Sequence, residues 1–307
     1  MKIAVIGAGA MGSVIGGLLA KAGNDVTFIE VSEAVVGAIN GDGLRIQSKS
    51  GEIERIDARA TSKPETVGPV DLVLVFVKCY HTEVAIRAAQ PLIGAHTRVL
   101  SLQNGWGNGP RIAGLVGDER VLLGVCYHSA TVIAPGHVRH GGQGPTYIGR
   151  WTGSDAPPAD VAGAFSQAGI ATTVATNVIA EIWSKLALNV CTLPTSALLR
   201  LEANQLVQHQ EMMDLMAALL REVTQVAAAR NIPLDYNERW ASITGLLGRC
   251  GPGAKSSMLQ DVEAKRRTEI DVINGAIVEA GRERKVPTPY NDTMVWLIKT
   301  WEKSLPR

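Results

Sequence analysis

The sequence predicts an α/β protein in which an N-terminal doubly wound parallel sheet is followed by an all-α domain. Three observations predict it: a strand, glycine-rich turn, helix and second strand at the N-terminus, later apolar runs separated by helical stretches, and a helical period from about residue 178 onward. Because domains of roughly 100–150 residues are the norm, the 307 residues predict two domains, which we place at 1–176 and 177–307.

The N-terminal motif has the arrangement of a dinucleotide-binding unit. The apolar run Lys2–Ile6 predicts a buried parallel strand, the stretch 13–23 predicts a helix, and Asp25–Glu30 predicts a second strand. Between the first strand and the helix lies a G-x-G-x-x-G turn formed by Gly7, Ala8, Gly9, Ala10, Met11 and Gly12. A glycine-rich turn by itself is often only structural, but these flanking elements favour a Rossmann-type nucleotide site.

Each glycine of the turn has a separate physical role. Gly7 permits the tight turn, Gly9 lets the backbone approach a pyrophosphate, and Gly12 allows the helix to pack closely on the strand. The N-terminus of the helix then offers N–H groups and a positive dipole end to the phosphates.

The acidic residue at the end of the second strand indicates which dinucleotide binds. A carboxylate there accepts hydrogen bonds from the adenosine ribose and repels a 2′-phosphate, and Glu30 occupies that position. No Arg or Lys follows until Arg45. We therefore expect NAD(P) as cofactor, with NAD favoured over NADP.

Further strands are predicted at 71–77, 98–102 and 121–125, with helical stretches between them. Ligands of such sheets bind beyond the carboxyl ends of the strands, where Lys78 and the stretch 103–105 lie. Both are candidates for contacting cofactor or substrate, although Asn-Gly also forms plain turns.

The rest of the chain is predicted from its turn residues and periodicity. The segment 135–149 predicts a glycine-rich hairpin, and 152–159 a surface loop or linker. Helices are predicted at 179–191, 204–230, 236–248, 257–285 and 293–303. Breaks are predicted at Pro194, Pro233, 251–253 and 287–289.

Composition excludes several classes of function. The net charge is +1 with no long run of one sign, so neither nucleic acid nor an anionic membrane is an expected partner. The uncharged stretch 3–20 resembles a signal peptide or membrane segment, but it contains five glycines, three of which belong to the turn motif. Four widely spaced cysteines predict reduced thiols and a cytoplasmic location.

His137 and His140 have no further ligand at metal-binding spacing, so no metal is expected.

The first predicted helix of the second domain raises a specific question about Lys185. On a helix, Glu181, Ser184, Lys185 and Asn189 share one stripe, opposite an apolar stripe. The polar stripe is either a solvated face with a Glu181–Lys185 pair or the wall of a substrate cleft. In a hydride-transfer enzyme, a lysine there would protonate the oxygen of a ketone, and Asn189 would hold a carboxylate or hydroxyl.

Several stretches together resemble the ketopantoate reductase (2-dehydropantoate 2-reductase) family nearly end to end. The most specific is SSMLQDVEAKRRTEIDVINGAIVEAG. The matching stretches are 7–12, 77–78, 102–105, 135–144, 185–189 and 256–281.

The resemblance implies roles for individual residues. Lys185 matches the general acid that protonates the keto oxygen, and Glu269 the carboxylate that orients substrate and couples to that lysine. Asn104, Asn189 and Ser257 match positions that hold the polar groups of the substrate, with Asn104 also on the cofactor side. Lys78 matches a residue near the cofactor phosphates. Without the resemblance, Glu269 would be one more surface charge on a helix that also carries Arg266, Arg267 and Asp271.

Two departures from the family pattern bear on cofactor and substrate. NADPH-linked members tend to carry an Arg just after the second strand, where this chain has Glu30-Val31, and to repeat an asparagine where it has Leu193. The expected reaction is therefore reversible hydride transfer between nicotinamide and C2 of a small 2-keto or 2-hydroxy acid. Ketopantoate is the default substrate, and a branched or aromatic D-2-hydroxy acid oxidised with NAD is the alternative.

Two further alternatives stay open. A β-hydroxyacid dehydrogenase also pairs a glycine-rich N-terminus with a Lys-x-x-x-Asn helix, and a redox-sensing protein would hold NAD(H) without turnover. A homodimer through the helical half is also expected, because long apolar-faced helices often continue into partner contacts.

Overall fold

The computed structural model describes residues 1–152 and 156–305. In chain order the strands are β1 (Lys2–Ile6), β2 (Asp25–Ile29), β3 (Leu44–Gln47), β4 (Ile53–Ile56), β5 (Arg59–Thr61), β6 (Leu72–Val75), β7 (Arg98–Ser101), β8 (Val121–Cys126), β9 (Ser129–Ala134), β10 (His137–Gly142), β11 (Thr146–Arg150) and β12 (Thr172–Val174). The helices are α1 (Ala10–Lys21), α2 (Glu33–Asp42), α3 (Thr82–Ala88), α4 (Asn108–Val116), α5 (Ala159–Gln167), α6 (Val178–Leu199), α7 (Gln210–Ala229), α8 (Tyr236–Gly248), α9 (Ser257–Glu263), α10 (Asn274–Arg284) and α11 (Pro289–Ser304).

The chain forms two compact units. The first comprises Met1–Gln103 and Asn108–Val178, and the second comprises Asn104–Gly107 and Ile179–Arg307. The short stretch Asn104–Gly107 therefore packs with the helical unit, although the residues on both sides of it belong to the sheet unit.

An eight-stranded sheet forms the centre of the first unit, which confirms the predicted fold class. Its strand order is β12-β11-β8-β7-β6-β1-β2-β5. The pairs from β8 to β5 are parallel, and β11 runs antiparallel to β8. The order reverses direction at β1, which is the point where ligands bind in doubly wound sheets. All four residues of β6 and all six of β8 are buried, as continuous apolar runs predict.

A second, four-stranded sheet in this unit was only partly predicted. Its order is β4-β3-β10-β9, and its strands between residues 44 and 56 were not predicted. These strands have four residues each, with buried positions alternating in β3 and a single buried residue in β4, so neither contains a continuous apolar run. The predicted hairpin over 135–149 is wrong in its pairing: β10 pairs with β9, whereas β11 joins the large sheet. Residues 153–155 of the predicted loop lie outside the described residues.

The second unit is helical, and α8 has the predicted bounds. The predicted helix over 257–285 is wrong. It is divided into α9, a 3₁₀ turn at Ile270–Val272 and α10. The α9 helix ends because Lys265 adopts a left-handed conformation (φ 53°) and the Arg266 N–H donates back to the Asp261 carbonyl. The predicted helix over 204–230 likewise begins only at Gln210, after a 3₁₀ turn at Ala203–Val207.

Two proline positions were also wrongly predicted. The α6 helix does not break at Pro194 but continues to Leu199. The α11 helix begins at Pro289 rather than after it, since a proline in the first turn forfeits no helical hydrogen bond. The carboxylate of Glu222 accepts the N–H groups of Tyr290 and Asn291 and so caps this helix start.

Two further observations concern the cysteines and the helices. The cysteines at 79, 126, 191 and 250 form no disulfide. Over the described ranges, no helix has the length and apolar character that crossing a membrane requires.

Candidate active site

The glycine turn is built by close contacts that exclude larger residues. Gly7 has a φ of 96°, and its N–H donates to the Ile29 carbonyl on β2. A Cβ on Gly12 would lie 2.0 Å from the Gly7 carbonyl oxygen. These two glycines therefore hold α1 against the end of β1, as their spacing predicts.

The opening of α1 has the form of an anion cradle. The helix begins at Ala10. Its N-cap residue is Gly9, which has no side chain to accept a hydrogen bond from the first turn. A Cβ on Gly9 would meet nothing within 4 Å, so the space beside this backbone is open. Met11 and Ala10 lie in the first turn, whose N–H groups have no acceptor within the helix. These features fit a bound pyrophosphate.

The carboxylate of Glu30 is fixed beside this turn. One oxygen accepts the backbone N–H of Ala8 at 2.9 Å, and the other accepts the backbone N–H of Ser32 at 2.9 Å. The next side chain, Val31, is 88% exposed. A negative charge therefore lies next to the glycine turn, and no basic side chain follows it directly.

The carboxyl ends of β6 and β7 are joined by a side chain that is structural. The amide nitrogen of Gln103 donates to the Val77 carbonyl at 2.7 Å and to the Thr82 hydroxyl at 2.8 Å. Lys78 lies at the start of the 3₁₀ turn Cys79–His81 and is half-buried. Of the two stretches singled out at this edge, Gln103 thus holds the loops together, and Lys78 stays a candidate for contacting a cofactor.

Asn104 is carried by a loop that is docked on the helical unit. Gly105 has a φ of 84°, and a Cβ there would lie 2.2 Å from the Val272 carbonyl oxygen. The backbone N–H of Trp106 donates to the same carbonyl at 2.8 Å. The Trp106 ring packs edge to face on the Trp183 ring, with 5.8 Å between the ring centroids. The docking contacts therefore lie two residues before Lys185 and three after Glu269. The helical period places Trp183 on the apolar stripe of α6, but no local pattern indicates its contact with Trp106.

The α6 helix has the two stripes that the sequence predicts. Trp183 and Leu186 are buried, while Lys185 is half-buried on the other stripe. Asn189 is only 7% exposed, so the polar stripe passes from a half-exposed to a buried environment within one turn. A wholly solvated helix face would not show this change.

Glu269 is not a surface charge. It directly precedes the 3₁₀ turn Ile270–Val272 and is 7% exposed, whereas the arginines at 266 and 267 are exposed. The backbone N–H and hydroxyl of the preceding Thr268 both donate to Glu302, at 2.8 and 2.7 Å. The interpretation of Glu269 as a residue on a continuous charged helix is therefore wrong. Burial of a carboxylate costs folding free energy unless the carboxylate is paired and hydrogen-bonded.

An arginine that the sequence analysis missed contacts the polar stripe of α6. The Arg239 guanidinium, on α8, donates to the Ser184 hydroxyl and pairs with Glu238. Burial raises the pKa of Glu181, and the charge of Arg239 opposes that shift. No sequence spacing links residues 184 and 239, so only the fold could reveal this contact.

Ser257 is the first residue of α9 and is exposed. The cap of that helix is instead Ser256, whose hydroxyl accepts the Leu259 N–H at 3.1 Å. Ser257 therefore does not serve as the cap of α9.

Of the two histidines considered as metal ligands, His140 is paired with a third histidine, His128. His140 is 8% exposed, its ring stacks on that of His128, and the facing ring nitrogens are 3.0 Å apart. Burial lowers the pKa of His140. In residues 1–152 and 156–305, no three His, Cys, Asp or Glu side chains converge in a way that could hold a metal ion.

Family models match nearly all of the chain. One described as ketopantoate reductase PanE/ApbA matches residues 3–153, and one described as ketopantoate reductase PanE/ApbA C terminal matches residues 177–302. The 2-dehydropantoate 2-reductase of Halobacterium salinarum is 33% identical over 303 residues, covering 97% of this chain and 98% of that protein. The 2-dehydropantoate 2-reductase of Pyrococcus horikoshii is also 33% identical, covering 98% of each.

Solved structures agree over the same length. A D-mandelate dehydrogenase in ternary complex with NADH and anilino(oxo)acetate is 31% identical with a TM-score of 0.95, covering 99% of each chain. A PanE/ApbA family ketopantoate reductase from Ralstonia eutropha is 34% identical with a TM-score of 0.88, also covering 99% of each. Both matches span the sheet unit and the helical unit described above. The chain belongs to the ketopantoate reductase PanE/ApbA family.

Proposed function

We propose that the protein is a nicotinamide-dependent oxidoreductase that interconverts a small 2-keto acid and its 2-hydroxy acid, with 2-dehydropantoate as the first substrate to test. One observation carries the proposal. The docked loop Asn104–Gly107 contacts Val272 and Trp183, next to the segments that carry Glu269 and Lys185. Three residues that the family resemblance marks as substrate-facing are therefore borne by neighbouring backbone segments of one unit.

Lys185 is the proposed proton donor. When hydride reaches C2 of the keto acid, negative charge develops on the carbonyl oxygen, and a proton must be added there to complete the hydroxyl group. The half-buried Lys185 ammonium supplies that proton and recovers one from solvent before the next turnover. In the reverse direction the neutral amine accepts the proton from the hydroxyl.

The buried carboxylate of Glu269 is proposed to orient the substrate and to couple to Lys185. Asn189 and Asn104 hold the carboxylate or hydroxyl of the substrate without adding charge, and the exposed Ser257 provides a further hydroxyl. In this assignment of roles, Lys185 is the cation that acts on the keto oxygen.

All but one of the proposed cofactor residues belong to the first unit; Asn104 belongs to the second. A nicotinamide dinucleotide bound by these residues supplies or accepts the hydride. The turn Gly7–Gly12 and the start of α1 hold its pyrophosphate. Lys78 contributes positive charge near the phosphates, and Asn104 contributes its polar side chain from the loop Asn104–Gly107. Glu30 accepts hydrogen bonds from the adenosine ribose and disfavours a 2′-phosphate, so we propose NAD as the preferred form.

A substrate panel tests the proposed reaction. Initial rates of NADH and NADPH oxidation are measured with 2-dehydropantoate, with bulkier 2-keto acids and with 3-keto acids. Turnover on a 2-keto acid with NADH supports the proposal. Turnover confined to 3-keto acids would indicate a β-hydroxyacid dehydrogenase, and micromolar dinucleotide binding without any turnover would indicate a sensor.

A second candidate is an NAD-dependent D-2-hydroxyacid dehydrogenase acting on a branched or aromatic acid. The observation that favours it is Leu193, an apolar residue that is 7% exposed and lies one helical turn after Asn189. An apolar side chain there suits an apolar substituent at C3 better than a hydroxyl. The D-mandelate dehydrogenase has the higher TM-score of the two structures compared above. Higher kcat/KM for phenylglyoxylate than for 2-dehydropantoate would support this candidate.

We also propose a homodimer and a cytoplasmic location. The dimer is supported by exposed apolar side chains on α11, where Tyr290, Trp296 and Leu297 are 49%, 63% and 47% exposed. The location is supported by four cysteines without disulfides. Light scattering compares the mass in solution of wild type with that of Trp296→Glu. A dimeric wild type and a monomeric variant support the dimer, whereas a monomeric wild type contradicts it.

A further inference from the structure

A proline inside α6 leaves one backbone carbonyl without its helical donor. Because Pro194 has no N–H, the carbonyl of Val190, four residues earlier, cannot accept the usual bond. The side-chain nitrogen of Asn274 lies 3.3 Å from that oxygen and donates to it. The first residue of α10 thus replaces the missing hydrogen bond of α6.

The orientation of the Asn274 amide is imposed by a buried carboxylate. Glu222 accepts the Asn291 side-chain nitrogen at 2.7 Å, so the Asn291 side-chain oxygen faces the other way. That oxygen accepts one hydrogen of the Asn274 nitrogen at 3.0 Å. The other hydrogen is then directed to Val190. All three polar side chains are at most 6% exposed, so water does not compete for these bonds.

This chain of hydrogen bonds connects two segments that matter for the proposed function. Val190 directly follows Asn189 on the helix that carries Lys185. Asn274 lies five residues after Glu269. The residues between them are the 3₁₀ turn Ile270–Val272 and Ile273. The Asn274–Val190 bond therefore joins the Glu269 segment directly to α6.

We propose that Asn274 is a positioning residue, which sets the spacing of Glu269 from Lys185 and Asn189 by fixing the Glu269 segment on α6. The inference rests on the proposed function. Pro194 has a part in it, because the proline keeps the Val190 carbonyl available for the tether. A purely structural role for Asn274 would consist only of satisfying that carbonyl, and the two roles predict different behaviour when another donor is supplied.

The experiment supplies that donor. In Pro194→Ala, the new backbone N–H can bond to the Val190 carbonyl within the helix. Wild type, Asn274→Ala, Pro194→Ala and the double variant are compared as full-length proteins for Tm, Kd of NADH, and kcat and KM with the 2-keto acid that wild type reduces fastest. Thr195→Val is the matched control, because it removes another buried hydrogen bond of α6, from the Thr195 hydroxyl to the Cys191 carbonyl at 2.8 Å.

We expect Asn274→Ala to lower Tm and to lower kcat by about tenfold or more, because small displacements of catalytic groups are costly. The Kd of NADH should stay within about twofold, since the glycine turn belongs to the other unit. The double variant should regain Tm but not kcat. Thr195→Val should lower Tm with kcat unchanged. If Asn274→Ala does not fold, the double variant provides the same comparison.

Three results would overturn the inference alone: a wild-type kcat in Asn274→Ala, recovery of kcat together with Tm in the double variant, or an equal loss of kcat in Thr195→Val. A wild-type protein that reduces no 2-keto acid would instead overturn the proposed function, and this inference with it.

Discussion

The backbone N–H of Ala8 donates to the side-chain carboxylate of Glu30 across 2.9 Å. This bond places a fixed negative charge against the glycine turn, on the residue that directly follows β2. Any dinucleotide that lies along the turn must bring its adenosine ribose near this charge. The proposed preference for NAD over NADP should therefore depend on this single carboxylate.

We expect Glu30→Gln to weaken the preference for NADH. A phosphate near an ionised carboxylate at the protein surface is opposed by roughly 1–4 kcal/mol, so removing the charge should improve the NADPH to NADH ratio of kcat/KM by about tenfold or more. Glu33→Gln, which removes an exposed carboxylate on the first turn of α2, serves as the control. A wild type that prefers NADPH would contradict the assignment of Glu30.

Two glycines of the turn should respond differently to the same substitution. Gly12→Ala places a methyl group 2.0 Å from the Gly7 carbonyl, so it should destabilise the fold by about 1–3 kcal/mol and weaken dinucleotide binding. Gly9→Ala meets no protein atom within 4 Å, so stability should be kept while dinucleotide binding falls. Denaturant unfolding and NADH titration measure both effects. Wild-type NADH affinity in Gly9→Ala would show that no phosphate lies against this backbone.

The loop that carries Asn104 offers a similar pair. Gly105→Ala combines a left-handed φ with a contact of 2.2 Å to the Val272 carbonyl, whereas Gly107 has a φ of 99° but nothing within 4 Å. Both alanine variants carry the backbone strain of about 1 kcal/mol, and only Gly105→Ala should undock the loop. We expect its kcat to fall by about tenfold or more, with altered tryptophan fluorescence from Trp106 and Trp183. Equal effects of both variants would argue against docking.

Acidification should destabilise the protein through His140. Burial holds the pKa of His140 below its value in the unfolded chain, so the unfolded state takes up a proton first as the pH falls. The contribution is complete above the unfolded pKa of about 6.5 and is lost as the pH falls from there toward the folded pKa. Protonation of both His128 and His140 would also place two positive charges on rings whose facing nitrogens are 3.0 Å apart. His140→Gln should therefore flatten the dependence of Tm on pH between about 7.5 and 5.5. An unchanged slope would contradict this account.

The sheet and the glycine turn were predictable because their signals are local. A strand such as Lys2–Ile6 is a continuous apolar run, and the spacing of Gly7, Gly9 and Gly12 follows from contacts within a dozen residues. The same holds for the alternation of Trp183 and Lys185 on α6. These elements follow from neighbours in the sequence, so a single sequence was enough.

The errors arose where a distant residue decides the local structure. Pro194 predicts a helix end, but the Asn274 side chain satisfies the carbonyl that the proline leaves unbonded. The sequence predicts Glu269 on a long helix, because nothing local shows that Lys265 ends α9 in a left-handed conformation. The docking of Trp106 on Trp183 joins residues far apart in the chain, and no periodicity reports it.

The central claim is that Lys185 donates the proton to the keto oxygen, and single-turnover hydride transfer by Lys185→Met tests it most directly. Methionine keeps the length and apolar stem of the side chain but cannot donate a proton. With saturating NADH and 2-keto acid, we predict a rate lower by about 10²–10⁴-fold and an unchanged Kd of NADH, while Lys303→Ala, an exposed lysine of α11, keeps the wild-type rate. Hydride transfer at the wild-type rate in Lys185→Met would contradict the account.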